Sequence, residues 1–238
     1  MTKKWFVHNL LGWEFCNSQL NKLYRIRVIE GCLVIMEVQG SPDQPVIPLF
    51  FRGREVFITG ATGFMGKVLV ERLLATCPDI GCLHLLMRTK KDLTPDTRLR
   101  ELKQSQVFDV LRRTSPGQLD KLRIVSGDIT KPKLGLSDRS RAELENVSVV
   151  FNSAATVKLE EELSSAVETN VLSVMRLLDI CDQLPNLAAW LHMSTAYCHA
   201  ERSRVEERVY PPAPARPLQR IIEDAQRAGH MTPRDTKK

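Results

Sequence analysis

From residue 54 onward, short apolar runs alternate with longer segments in which apolar positions recur at helical spacing. The runs are almost wholly apolar and end in small or polar residues, which is typical of buried strands in a parallel sheet. Val70, Leu73, Leu74 and Cys77 fall at i, i+3, i+4 and i+7 and predict one face of an amphipathic helix. The predicted strands cover residues 56–58, 83–87, 122–125, 147–151 and 188–193, and the predicted helices cover residues 67–76, 95–113 and 163–184.

This alternation predicts an α/β fold with a doubly wound parallel sheet, because helices cover both faces of such a sheet. Right-handed crossovers leave the strand order 3-2-1-4-5 as the natural one. We expect the sheet to be incomplete at its C-terminal side, with the fifth strand at an exposed edge. Residues 1–50 form a poorly assigned extension, in which residues 25–38 predict either a strand or a hairpin that turns at Gly31.

A glycine-rich turn follows the first predicted strand and reads TGATGFMG. Glycines in this position permit a tight turn, bring the backbone close to a pyrophosphate and let the next helix pack on the sheet. The helix N-terminus also offers free N–H groups and a partial positive charge to phosphates. We therefore predict an NAD(P)-binding Rossmann domain over residues 51–212. The residues predicted to bind the cofactor in this turn are Thr59, Gly60, Thr62, Gly63, Phe64, Met65 and Gly66.

The end of the second predicted strand indicates which dinucleotide is preferred. NAD-binding sites place an Asp or Glu there for the ribose hydroxyls. This chain has Arg88 instead, and Lys90 and Lys91 follow it. A cation at this position favours a 2′-phosphate, so Arg88 predicts NADPH as the cofactor. Lys90 and Lys91 are left open between phosphate binding and a solvated basic loop.

The ends of the third and fourth predicted strands carry further candidate cofactor ligands. Asp128, with Ile129 beside it, either bonds an adenine amino group or serves as a turn or helix-capping residue. Asn170, inside a helix, either ties that helix to the loop after the fourth strand or lies at the surface. Small residues in that loop let the nicotinamide ribose lie flat on the backbone. These small residues are Ser153, Ala154 and Ala155.

The composition narrows the class of protein. A net charge of +6 is compatible with anionic ligands, but no basic block with interleaved aromatic residues indicates nucleic-acid binding. The six cysteines form no Cys-x-x-Cys pair and no cluster with histidines, so we predict no metal site. The sequence has neither the apolar length of a transmembrane helix nor the pattern of a signal peptide, and we expect a soluble chain.

Six segments together resemble the fatty acyl-CoA reductases, which are extended short-chain dehydrogenase/reductases. They read TGATGFMG, LLMRTKK, SGDITKPKLGLS, VFNSAATVKLEEEL, ETNVLSVMRLLDIC and LHMSTAYCHAERSRVEERVYPP, and the resemblance runs from about residue 50 to residue 212. The strings GREVFITGATGFMGKVLVERLL and NSAATVK are specific to this family and its near relatives. The chain after Pro214 departs from the family pattern, so residues 213–238 are expected to form a divergent, disordered tail.

The resemblance implies NADPH-dependent reduction of a long-chain acyl-CoA thioester to a primary alcohol through an aldehyde, without a metal. In this superfamily a Ser or Thr, a Tyr and a Lys donate hydrogen bonds to the developing oxyanion. Ser194 and Thr195 match the hydroxyl position, and the sequence does not decide between them. The resemblance also implies a location at the cytoplasmic face of the endoplasmic reticulum or at the peroxisome, with membrane contact only through regions outside this chain.

The Tyr-x-x-x-Lys pair of the superfamily is absent, since none of the three tyrosines has a Lys four positions later. We therefore interpret the chain as the N-terminal fragment of a reductase, carrying cofactor binding. Three alternatives stay open. In the first, the chain is a catalytically inactive nucleotide-binding or interaction protein that pairs with a full-length reductase. In the second, it is an extended reductase or epimerase that acts on a nucleotide sugar. In the third, the chain does not fold stably alone.

Overall fold

A seven-stranded sheet lies at the centre of the protein in the computed structural model, which describes residues 25–29, 32–36, 46–158, 160–195, 202–206 and 218–228. The strands are β1 (Arg25–Ile29), β2 (Cys32–Met36), β3 (Glu55–Thr59), β4 (Leu83–Met87), β5 (Leu122–Ser126), β6 (Val147–Asn152) and β7 (Ala189–His192). The strands β3 to β7 are the five predicted from the sequence, and all are parallel in the order β7-β6-β3-β4-β5. This order is the predicted 3-2-1-4-5 arrangement, which is therefore confirmed.

Helices connect the parallel strands and cover both faces of the sheet. They are α1 (Val46–Phe51), α2 (Phe64–Thr76), α3 (Pro95–Gln104), α4 (Asp109–Thr114), α5 (Asp138–Ala142), α6 (Leu163–Val167), α7 (Ser173–Cys181) and α8 (Leu218–Ala228). Short 3-10 turns lie at Gln106–Phe108, Pro116–Lys121 and Pro132–Gly135, and a π-helical turn at Glu168–Leu172 joins α6 to α7.

Two helices differ in detail from the sequence prediction. The segment predicted as one helix over residues 95–113 breaks at Ser105 into α3 and α4, with the fully buried Phe108 in the 3-10 turn between them. The helix predicted over residues 163–184 runs without a break from α6 to α7, but it contains the π turn and ends at Cys181. A π turn inside an α-helix often marks a functional position.

Alternate residues of the parallel strands pack into two core layers on opposite faces of the sheet. In β3, Val56 and Ile58 pack in the layer that contains the buried side of α2, whereas Phe57 packs in the layer that contains α7. All three side chains are fully buried. The alternation follows from the two-residue period of a strand, and it leaves the ends of the strands as the places where polar side chains can gather.

The N-terminal segment forms a hairpin of β1 and β2, so the hairpin alternative is confirmed over these residues. Strand β2 pairs antiparallel with β7 at Leu33 and His192. The expectation that the fifth parallel strand lies at an exposed edge is therefore wrong, because the chain's own N-terminal segment supplies backbone partners there. Helix α1, which the sequence did not predict, packs Phe51 against Phe151 with a ring separation of 6.3 Å.

The C-terminal part of the chain also differs from expectation. Disorder was expected over residues 213–238, but residues 218–228 form α8. Ile222 in α8 is only 6% exposed and packs against Val167, with Val171 and Leu172 beside them. Burial of this apolar contact against α6 and the π turn is the physical reason that the segment is helical. The remaining residues of the expected tail lie outside the described part of the chain.

Candidate functional site

The glycine-rich turn between β3 and α2 lies against the loop that follows β6. Gly60 has a positive φ of +73°, and a Cβ on Gly60 would lie 2.6 Å from the backbone of Ser153 and of Ala154. A Cβ on Gly66 would lie 2.2 Å from the carbonyl oxygen of Gly60. Both contacts are shorter than any side chain allows, so the turn, the helix and the loop fit together only with glycine at these two positions.

The N-terminus of α2 presents backbone N–H groups beside this turn. Gly63 is its N-cap residue and provides no capping side chain. The first N–H groups of a helix lack partners within the helix, and the helix dipole adds a partial positive charge there. Phe64 and Met65, the first two residues of α2, have side chains that are 83% and 53% exposed. We call the glycine turn, the start of α2 and the loop after β6 the cofactor cradle. This cradle has the free N–H donors and the closely approaching backbone that a pyrophosphate requires.

Two arginines lie beside the glycine turn. The Nη2 group of Arg98 donates to Thr62 Oγ1 at 2.7 Å, and its Nη1 group donates to the carbonyl oxygen of Arg88 at 2.7 Å. Burial lowers the pKa of Arg98, and the positive charge of Arg88 lowers it further. The sequence prediction included Thr62 and Arg88 but missed Arg98, which lies on α3 ten residues after Arg88 and carries no local motif.

Lys90 and Lys91 lie in a tight turn between β4 and α3, and both are exposed. The backbones of Lys90 and Leu93 bond to each other in both directions at 3.1 Å. Lys91 has a positive φ of 50°. The exposed position favours the interpretation of a solvated basic loop for these two lysines.

Asp128 joins the end of β5 to Arg88. Its Oδ2 lies 3.4 Å from Arg88 Nη1, and its Oδ1 accepts hydrogen bonds from the N–H and the hydroxyl of Thr130 at 3.0 and 2.9 Å. Partial burial raises the pKa of Asp128, but the two bonds from Thr130 and the charges of Arg88 and Lys131 outweigh it and leave the pKa below its ordinary value. The bonds from Thr130 confirm the turn interpretation of Asp128, while its second oxygen faces Arg88. The adenine contact stays a prediction.

The loop after β5 is fixed from the opposite side by α7. Arg176 Nη1 donates to the carbonyl oxygen of Ile129 at 3.4 Å and to Glu168 Oε1 at 2.5 Å. Ile129 thus has its backbone held in place beside Asp128. Its side chain packs against the core layer of α7.

Asn170 in the π turn ties its helix to the loop after β6. Its Oδ1 accepts from the N–H of Thr156 at 2.9 Å, and its Nδ2 donates to the carbonyl oxygen of Thr156 at 3.1 Å. The side-chain amide of Asn170 thus pairs with both backbone groups of Thr156, as a neighbouring strand would. The prediction that Asn170 ties the helix to this loop is confirmed, and the loop containing Ser153, Ala154 and Ala155 is held between this amide and Gly60.

Ser194 and Thr195 follow β7 after Met193, at the same edge of the sheet as the other strand ends. Ser194 is half-buried and Thr195 is exposed. The N–H of Met193 donates to the carbonyl oxygen of Asn152 at 2.9 Å and so holds this strand end against β6. The catalytic role of either hydroxyl stays a prediction.

Three side chains link the ends of β3, β6 and β7. Thr59 Oγ1 donates to Asn152 Oδ1 at 2.6 Å, and Asn152 Nδ2 lies 3.0 Å from His192 Nδ1. Thr59 Oγ1 also accepts from the N–H of Ala154 at 3.2 Å. Burial lowers the pKa of His192 from its ordinary value of 6.5. The sequence analysis named Thr59 but missed Asn152, which follows an apolar run, and His192, which lies within one.

Comparison with known proteins decides the family. The model of the NAD-binding family described as Male sterility protein matches residues 58–237. The chain belongs to this family. The match continues through α8 and thus beyond residue 212, where the resemblance found in the sequence analysis ended.

The chain is similar in sequence to proteins named as fatty acyl-CoA reductases. The chain is 42% identical to Fatty acyl-CoA reductase 1 of Gallus gallus and 38% identical to that of Homo sapiens, in each case over 167 residues that make up 70% of this chain and 32% of the relative. The chain therefore spans about a third of the length of these relatives. A reductase domain of a nonribosomal peptide synthetase from Mycobacterium tuberculosis is 30% identical, with a TM-score of 0.47, and the match covers 67% of this chain and 35% of that one. The resemblance to fatty acyl-CoA reductases is confirmed.

Within the described part of the chain, no helix is long and apolar enough to cross a membrane. The same residues contain no group of three or more His, Cys, Asp and Glu side chains that could hold a metal ion.

Replacement of Gly66 tests the packing of this family's glycine turn. The Gly66→Ala variant forces a Cβ against the Gly60 carbonyl, so we expect the free energy of unfolding to fall by about 1–3 kcal/mol. Gly117→Ala is the matched control, because a Cβ at Gly117 meets nothing within 4 Å. Urea unfolding followed by circular dichroism measures both variants. Equal stability of the two variants would contradict the close packing.

The pKa of His192 gives the stability a pH dependence of known sign. Because the folded pKa is lowered, the unfolded chain takes up the proton first as the pH falls below 6.5. The contribution of His192 is complete above that pH, and the free energy of unfolding should fall between about pH 7 and pH 5. His192→Gln keeps an acceptor for Asn152 but does not titrate, so this variant should show a flatter profile in urea melts. If the free energy of unfolding depends on pH as steeply in His192→Gln as in the wild type, His192 is not the source of the pH dependence.

Proposed function

We propose that this chain is the cofactor-binding part of a fatty acyl-CoA reductase and that it binds NADPH for the reduction of long-chain acyl-CoA to fatty alcohol. The observation that carries the proposal is the fit of Gly60 against Ser153 and Ala154. This contact lies between β3 and β6, where the order of the sheet reverses. Open α/β sheets bind their ligands at this switch point, beyond the carboxyl ends of the strands.

The pyrophosphate would rest on the N–H groups at the start of α2, because these donors have no capping side chain. Asp128 and Ile129 would face the adenine, and the small residues Ser153, Ala154 and Ala155 would leave room for the nicotinamide ribose. Ser194 or Thr195 would donate a hydrogen bond to the substrate oxygen. The bound cofactor would supply the hydride for each reduction step.

The preference for NADPH over NADH rests on Arg88 and Arg98. The two guanidinium groups lie close enough for Arg88 to lower the pKa of Arg98. Two carboxylates oppose this positive charge, since Asp128 faces Arg88 and Glu101 acts on Arg98. A 2′-phosphate brings about two negative charges to two cations that repel each other. Arginine also presents planar N–H groups that match phosphate geometry. The lack of an acidic residue at the end of β4 removes the usual partner of the NADH ribose.

Substitution of Arg88 tests the cofactor preference. We expect Arg88→Gln to weaken NADPH binding about tenfold or more, because a charge-assisted hydrogen bond is lost, and to change NADH binding much less. Isothermal titration calorimetry with each dinucleotide gives the two affinities. Arg100→Gln is the matched control, since Arg100 lies on α3 with Arg98 but bonds to Thr97. A wild-type chain that gives no saturable signal with NADPH would refute the proposed function.

A second candidate function is cofactor binding without turnover, which the missing Tyr-x-x-x-Lys pair favours. Without the general acid, the rate should fall by orders of magnitude. We expect this chain with NADPH and palmitoyl-CoA to form no fatty alcohol above background by gas chromatography, while Fatty acyl-CoA reductase 1 of Homo sapiens serves as the positive control. Alcohol formation by this chain alone would refute this candidate and show that another residue replaces the pair.

A further inference from the structure

A row of three polar side chains crosses the sheet at the ends of β3, β6 and β7. The row consists of Thr59, Asn152 and His192. Thr59 is fully buried and Asn152 is 2% exposed. The preceding residues on the same face of these strands are Phe57, Val150 and Trp190, all of which belong to the core layer of α7. The row is therefore the point where an apolar layer changes to buried polar groups, and buried polar groups stabilise a fold only when they are paired.

Each hydrogen bond in the row has a definite direction. The Thr59 hydroxyl accepts from the N–H of Ala154 at 3.2 Å and uses its own proton to donate to Asn152 Oδ1 at 2.6 Å. This leaves Asn152 Nδ2 to donate across 3.0 Å to His192 Nδ1. A rotated amide would place a donor against the Thr59 proton, so the network holds Asn152 in one orientation.

The network joins the two backbone segments that form the cofactor cradle. Thr59 immediately precedes Gly60, and Asn152 immediately precedes Ser153. The carbonyl oxygen of Thr59 also accepts from the N–H of Ser153 at 3.3 Å. The distance between the glycine turn and the loop after β6 therefore depends on bonds to both the carbonyl oxygen and the hydroxyl of Thr59. Asn152 fixes the orientation of that hydroxyl.

His192 extends the row to the strand that carries Ser194 and Thr195. Its ring stacks on Trp190 with a centroid separation of 5.6 Å and an interplanar angle of 2°. Burial keeps the ring in the neutral form that can accept from Asn152, because a lowered pKa disfavours the imidazolium. The candidate catalytic strand is thus aligned with β6 by a side-chain bond as well as by backbone pairing.

We propose that Asn152 is a positioning residue, which orients the Thr59 hydroxyl and the His192 ring so that the Ala154 N–H and the end of β7 are held in the geometry that binds the dinucleotide. This inference rests on the proposed cofactor function and adds to it. Asn152 touches neither cofactor nor substrate in this role. It acts through Thr59 and His192.

The first test compares dinucleotide affinity among variants of the whole chain. We expect Asn152→Leu and Thr59→Val to raise the NADPH dissociation constant about tenfold, and Thr59→Ser to recover most of the loss of Thr59→Val. Ser148→Ala is the matched control and should bind like the wild type. Ser148 lies on the same strand, is 6% exposed, and its hydroxyl has no hydrogen-bond partner in the described structure.

A second test separates positioning from general stability. In an amide nuclear magnetic resonance spectrum, the Ala154 N–H should shift in Asn152→Leu and in Thr59→Val but stay in place in Ser148→Ala. Asn152→Asp conserves shape and is the variant to use should Asn152→Leu fail to fold. Its carboxylate, placed 3.0 Å from His192 Nδ1, should raise the pKa of His192 in an imidazole titration.

The outcomes distinguish this inference from the proposed function. If the wild type does not bind NADPH, the proposed function fails. If the wild type binds and folded Asn152→Leu binds equally well, the positioning role is refuted while the proposed function stands. If His192 titrates identically in the wild type and in Asn152→Asp, the two side chains are not in contact and the inference is likewise overturned.

Discussion

The site depends on the close approach of Gly60 to the peptide that joins Ser153 to Ala154. At 2.6 Å from where a Cβ would lie, this backbone leaves no space for any side chain. Helix α2 also packs closely on this turn, because Gly66 lies against the carbonyl oxygen of Gly60. The turn, the helix that follows it and the distant loop after β6 therefore contact one another closely because no side chain lies between them. Their N–H groups are consequently arranged before any ligand arrives, which lowers the cost of ordering on binding.

The charges around this cradle are also arranged in advance. Arg98 is held by Thr62 and by the carbonyl oxygen of Arg88, so its position does not depend on a ligand. Asp128 faces Arg88 with one oxygen while Thr130 holds the other. Arg88, Arg98 and Lys131 outnumber the carboxylates that interact with them, Asp128 and Glu101, which leaves a net positive charge at the end of β4. This excess charge, on groups already held in place, is what a phosphate ester can neutralise and a ribose hydroxyl cannot.

The sequence predicted the parts of the fold that follow from local pattern. Apolar runs located β3 to β7, and chirality then gave their order, because few connections satisfy both constraints. The glycine turn and Arg88 were found since they adjoin those runs. Arg98 was missed because only the packing of α3 brings it to Thr62. The pairing of β2 with β7 and the docking of Ile222 were missed for a related reason, since both depend on contacts between distant segments.

Asn152 and His192 show a different limit of sequence reasoning. Asn152 follows an apolar run and His192 lies near the end of another, and such a residue is equally consistent with a solvated strand end or a buried hydrogen bond. What decides is the register of β3, β6 and β7, which places Thr59 opposite Asn152 and Asn152 opposite His192. With that register, all three lie on one face, and pairing becomes obligatory because the face is buried. The proposed cofactor site is then formed by the ends of five strands that are held together.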